Sequence, residues 1–133
     1  MKLLLDTHIW IWTVLEPGRI SPHVAAKIQN RDNELWLSPI SVWEVLLLQR
    51  KGRILPDIEI NSWISKTLRI FPVNEADVTV EVARQVGQLH LSDRDPADHF
   101  LVATAKVFDL TLVTADPRLI ALKSKGLTVL SNR

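Results

Sequence analysis

The sequence predicts an α/β fold, a parallel sheet covered by helices on both faces, and two observations lead there. Short, mainly apolar runs of strand length recur at Lys2–Leu5, Glu34–Leu37, Thr111–Thr114 and residues 127–130, with residues 70–73 as a weaker fifth. Segments of helical period separate them. Buried runs alternating with helices are the mark of strands enclosed on both sides, and in such sheets ligands bind beyond the carboxyl ends of the strands.

Each element has a local cause. The first run ends at Asp6, and a short helix carrying Trp10 and Trp12 should follow. Two positions apart, these indoles cannot share a helix face, so one packs in the core and the other lies at an edge. Ser21-Pro22 opens a helix to about residue 30, with proline just inside its start. Ser38-Pro39 repeats the device, and Gly52 suits the terminating position. Residues 57–68 place Ile60, Trp63, Ile64, Thr67 and Leu68 on one helical face. Val78, Val80 and Val82 alternate as in a strand, yet Asn74 as a cap, Glu75 and Asp77 in the first turn and continuation through Ala83 and Val86 favour a helix. Asp95-Pro96 opens the last long helix, to about residue 107, with Phe100, Leu101, Ala103, Thr104 and Val107 inward.

The 133 residues are expected to form one domain, residues 1–133, because this is an ordinary single-domain length and neither a linker nor an internal repeat interrupts it. With 47% hydrophobic and 23% charged residues the composition is globular, not disordered. The absence of cysteine excludes disulfides, thiolate nucleophiles and zinc–thiolate clusters, and favours a cytoplasmic setting. Leu3 to Leu5 are too few for a signal peptide and no apolar run spans a bilayer, so a soluble protein without membrane association is expected. A net charge of +1 provides no global field for a polyanion. Any nucleic acid must be held locally. Arg50, Lys51 and Arg53, and Arg118, Lys123 and Lys125, could line such a path or be solvated helix ends.

The chemistry is carried by acids. Asp6 follows the first strand and Asp116 follows Leu112-Val113-Thr114-Ala115, so both stand at strand tips and converge if their strands are neighbours, about 4.8 Å apart. Glu44 sits among Ile40, Val42, Trp43, Val45, Leu46, Leu47 and Leu48. A carboxylate there needs a thin solvent face or a cation. Asp95 and Asp98 lie three residues apart on one side of a helix start, Asp95 also reading as an ordinary cap. Gathered carboxylates raise one another's pKa unless a divalent cation neutralises them, and hard oxygen donors suit Mg²⁺ or Mn²⁺. Such an ion suits phosphodiester hydrolysis. Thr7 and Thr114 could bond these carboxylates or be plain strand-end hydroxyls; His8 and His99 could contact substrate or be structural. Five tryptophans without a tyrosine supply core packing, and one left partly exposed could anchor a protein partner.

Taken in order, Leu3-Leu4-Leu5-Asp6-Thr7-His8, Ser41-Val42-Trp43-Glu44, Asp95-Pro96-Ala97-Asp98-His99 leading into Leu101-Val102-Ala103-Thr104-Ala105, and Leu112-Val113-Thr114-Ala115-Asp116 resemble PIN-domain proteins, more narrowly VapC-type toxins of toxin–antitoxin pairs. The resemblance covers essentially the whole chain. It implies a three-layer α/β/α sandwich on a parallel sheet of four or five strands, and an Mg²⁺- or Mn²⁺-dependent endoribonuclease leaving 5′-phosphate and 3′-hydroxyl ends. It assigns the acidic set to Asp6, Glu44, Asp98 and Asp116, with Asp6 and Asp98 as direct ligands and the other two direct or through water. Asp95 matches an extra aspartate of one subfamily whose motif reads Asp-Pro-Phe-Asp-Arg. Here Ala97 and His99 replace the Phe and Arg, and His8 stands where many relatives carry Asn or Ser. The resemblance further implies a homodimer, an RNA substrate and a cognate VapB-like antitoxin laid across an apolar groove near the site, beside Trp10 or Trp12. A catalytically idle PIN fold that binds RNA or protein is the alternative. A phosphatase wants a second Asp where His8 stands, and a receiver domain wants paired acids at the first strand tip.

Overall fold

The computed structural model describes residues 1–90 and 95–133. Among them β1 (Lys2–Leu5), β2 (Glu34–Leu37), β3 (Asn74–Glu75), β4 (Thr111–Thr114) and β5 (Val129–Ser131) form one parallel sheet in the order β3-β2-β1-β4-β5. The helices are α1 (Thr7–Leu15), α2 (Pro22–Gln29), α3 (Pro39–Arg50), α4 (Ile60–Ile70), α5 (Val80–Val86), α6 (Pro96–Val107) and α7 (Pro117–Ile120). The three-layer α/β/α sandwich implied by the sequence is what forms.

Strand β1 is central, and Leu3, Leu4 and Leu5 are all fully buried. Its alternation divides the core in two. Leu3 and Leu5, with Val113, face a cluster built by Ile9, Trp10 and Ile11 of α1, Val24 and Ile28 of α2 and Val45 of α3. Leu4, with Leu112, faces Leu101, Val102 and Ala105 of α6 and Leu119 of α7. Burying each such leucine contributes about 1.5–3 kcal/mol, so the strand that carries Asp6 at its end is among the most firmly held parts of the molecule. Trp10 is fully buried, against Trp63, whereas Trp12 is half-buried. The two indoles part as their spacing requires.

The connections set the position of the site. From β1 the chain moves outward to β2 and β3, then crosses back over β1 to reach β4 and β5. The adjacent strands β1 and β4 therefore send their following segments apart, and their carboxyl ends flank a switch-point crevice.

Four elements have boundaries that differ from expectation. The weak fifth strand lies at Asn74–Glu75 instead of residues 70–73, because α4 runs on through Ile70. Asn74 cannot cap a helix, since it and Glu75 pair with Trp36 and Leu37, and the Ala76 amide donates to Leu37 (2.9 Å). The helix starts at Val80 with Thr79 as its cap, accepting from the Val82 amide at 3.1 Å. Likewise α4 starts at Ile60, capped by Glu59, and β5 begins at Val129, after Gly126 turns the chain at φ 91°. Among the described residues no helix is long and apolar enough to cross a membrane.

Candidate active site

Helix starts hold the acids at the switch point. Asp6 caps α1 by accepting from the Thr7 amide (2.8 Å), Asp95 caps α6 by accepting from Ala97 (3.0 Å), and Asp116 caps α7 by accepting from Arg118 (2.9 Å). Asp98 follows in the first turn of α6. Capping and the collection of charge are therefore one arrangement: the partly positive helix ends that satisfy these acids also draw them to one place. Asp6, His8, Trp12, Glu44, Asp95, Asp98, Ala115, Asp116 and Arg118 line a common crevice of about 310 Å³. Acids separated by more than a hundred positions in the chain share it.

Asp6 is only 8% exposed and bonded through both oxygens, the second accepting from the Thr114 hydroxyl at 2.7 Å. The Asp6 amide donates to Val113 (2.9 Å), continuing the β1–β4 ladder by one residue. Burial raises its pKa above the usual carboxylate range, and the charge of Asp116 adds to that; the Thr114 bond, His8 and the Thr7 amide oppose it. Glu44 projects from α3 and is half-buried. The Thr7 hydroxyl bonds its Oε1 and also lies 2.8 Å from the Ser41 hydroxyl. A hydroxyl has one hydrogen, so when Glu44 is ionised Thr7 donates to it and accepts from Ser41. The Glu44 pKa is pushed up to about 7 by burial, and the Thr7 bond only partly offsets this while Asp6 and Asp95 reinforce it.

On the other side Arg118 meets the acids. Its Nε and Nη2 reach Asp116 Oδ1 and Oδ2 at 3.2 and 2.8 Å, a two-pronged contact, and Nη2 lies 3.7 Å from Asp98 Oδ2. The sequence reading grouped Arg118 with Lys123 and Lys125, but Arg118 turns onto the acids while Lys125 lines a separate crevice with Gln88 and Leu89. A signal was available: the second residue of a helix capped by an acid can fold back on its cap. Ser41 was also missed, although three residues before Glu44 it shares that helix face. His8 lines the crevice; His99, half-buried on α6, is not among its described lining residues. Thr7 and Thr114 bond the acids directly.

The donor set suits a hard divalent cation. Five carboxylates, from the β1 tip, α3, the start of α6 and the β4 tip, face one opening, and burial strains the ionisation of Asp6 and Glu44. Among the described residues no three acids or histidines close into a ready-made cage.

The PIN domain model matches residues 3–125. The chain is 35% identical to Ribonuclease VapC22 of Mycobacterium tuberculosis over 118 residues, covering 88% of both chains. Among solved structures it superposes on a chain of DNA-bound VapBC from Salmonella typhimurium with a TM-score of 0.74 at 16% identity, covering 100% of this chain and 99% of that one. It also superposes on VapBC2 from Rickettsia felis bound to a promoter DNA fragment, with a TM-score of 0.68 at 17% identity and 98% of each chain covered. At these identities the structural likeness speaks to the fold.

Proposed function

This chain belongs to the PIN domain family and, within it, to the VapC-type proteins, and from that premise we propose that it is a metal-dependent endoribonuclease restrained by a cognate VapB-like antitoxin. The observation that carries the reading is the common crevice of Asp6, Glu44, Asp98 and Asp116 at the switch point. Asp6 and Asp98 would hold Mg²⁺ or Mn²⁺ directly, with Glu44 and Asp116 direct or through water. When bound, the cation would neutralise the phosphate and acidify water for its attack.

The chain's own residues prepare that site. Thr114 and the Thr7 amide fix both oxygens of Asp6, so the carboxylate is set before anything binds. Thr7 orients Glu44 while Ser41 orients Thr7. With its pKa near 7, Glu44 can take or release a proton at neutral pH in the metal-free protein. His8 and Asp95 border the opening and would meet the RNA strand. A neighbouring crevice shares His8 and Trp12 and mixes Ile11, Leu15, Leu48 and Ile54 with the charged Glu16, Arg19 and Arg53, a path on which the antitoxin would lie. The reading takes residues 1–133 as one domain, acting as a cytoplasmic homodimer.

The test is incubation of the metal-free protein with single-stranded RNA, with and without Mg²⁺ or Mn²⁺, followed by sequencing of the ends. Cleavage should require the cation and leave 5′-phosphate and 3′-hydroxyl termini. Asp6→Asn and Asp98→Asn should each lower it by orders of magnitude with the fold intact. Undiminished cleavage in both variants rejects the assignment, and RNA binding without cleavage under every condition favours an idle module.

A further inference from the structure

We infer that Arg118 is an internal counter-ion that bridges Asp98 and Asp116 in the metal-free protein and competes with a divalent cation for their carboxylates. The inference rests on the metal reading above and goes beyond it by assigning control of cation affinity to a basic residue of the chain itself.

Local backbone geometry puts the guanidinium there. Asp116 caps α7 and Pro117 occupies its first position, so Arg118 stands in the first turn with its amide already bonded to the Asp116 carboxylate (2.9 Å). Only two residues separate the partners, and the fork returns to both oxygens of the cap with little further ordering of the chain. The same Nη2 then lies 3.7 Å from Asp98, a carboxylate brought in by a different helix and only 7% exposed. One planar cation thus spans acids from the β4 tip and from α6, matching their geometry in a way a lysine ammonium does not.

The contact is suited to displacement. The Arg118 side chain is 62% exposed, and exposed ion pairs are weak, so the guanidinium can leave for solvent at small cost. It nevertheless places a full positive charge beside two of the proposed ligands. Because the guanidinium can withdraw, the affinity it takes from a cation is bounded by the cost of breaking these contacts, a factor of about two to five. Arg118 therefore tunes the cation threshold of the site without blocking it. Asp6 and Glu44 are instead bonded to the hydroxyls of Thr114 and Thr7.

The test is Mn²⁺ binding, read by electron paramagnetic resonance of free Mn²⁺ against metal-free full-length protein, for the wild type, Arg118→Gln and Arg118→Lys. Thermal melting with and without Mn²⁺ is a second readout. Arg118→Gln should bind Mn²⁺ about two- to fivefold more tightly, with Arg118→Lys between it and the wild type. The Gln variant should melt lower without metal and gain more on Mn²⁺ addition, because ligand-linked stabilisation follows affinity. Equal or weaker binding by Arg118→Gln overturns the role of Arg118 and leaves the metal reading standing. Mn²⁺ binding by none of the three proteins overturns both.

Discussion

On the β1–α3 side of the crevice, carboxylates meet hydroxyls; on the α6–α7 side they meet a guanidinium. Asp6 leans on Thr114 and Glu44 on Thr7, neutral partners that orient an anion without cancelling its charge. Asp116 and Asp98 lie within reach of Arg118, which does supply charge. The pKa of Asp6 is raised by burial and that of Glu44 reaches about 7, as expected where desolvation is only partly compensated. Acids that look equivalent along the chain therefore differ in what a cation would relieve. The hydroxyl side carries two acids whose ionisation burial opposes, and the guanidinium side sets the competition.

The sharpest way to break this contrast is to remove one charge from each side. Asp6→Asn should abolish most cleavage yet raise the melting temperature of the metal-free protein at pH 8, because a buried, poorly compensated carboxylate is gone. Asp116→Asn keeps its cap but loses the ion pair with Arg118, and should leave that temperature unchanged or slightly lower. Calorimetry in EDTA decides it: equal losses in both variants would show that the two sides carry charge alike.

A smaller effect probes the hydroxyls. Thr114→Val keeps the shape of the strand end but leaves a buried Asp6 oxygen without its donor, at a cost of about 1–3 kcal/mol. Its melting temperature should fall by roughly 3–10 °C at pH 8. No change would mean that the bond is dispensable.

The contrast can also be read in pH. A carboxyl whose folded pKa is raised contributes stability that is full below its ordinary value, 4.5 for Glu44, and is lost as pH rises through about 7. Melting in EDTA should therefore show a loss between pH 5 and 8 that Glu44→Gln reduces and Mn²⁺ opposes. A slope unchanged in Glu44→Gln would remove Glu44 as its source.

Much of this was legible in the chain because the acids stand beside strong local signals. Asp6 closes one apolar run, Asp116 follows another, and Asp95 precedes a proline that opens a helix, so strand tips and cap chemistry located them before their convergence was known. Glu44 stood out by its apolar neighbours. What escaped depended on tertiary pairing. The β3 strand is two residues long and forms because β2 offers an edge, which took Asn74 out of its expected role as a cap. Ser41 acquires meaning only when Thr7 arrives from another element, and Arg118 only when Asp98 is folded beside Asp116. Periodicity carries no trace of such contacts.

The central claim is that Asp6 and Asp98, distant in sequence, serve one divalent cation. Mn²⁺ titration of folded, metal-free Asp6→Asn and Asp98→Asn beside the wild type tests it without reference to turnover. A loss of affinity of at least about tenfold in each variant is expected for charge removal at a shared ion. Wild-type affinity retained by either variant would contradict the account.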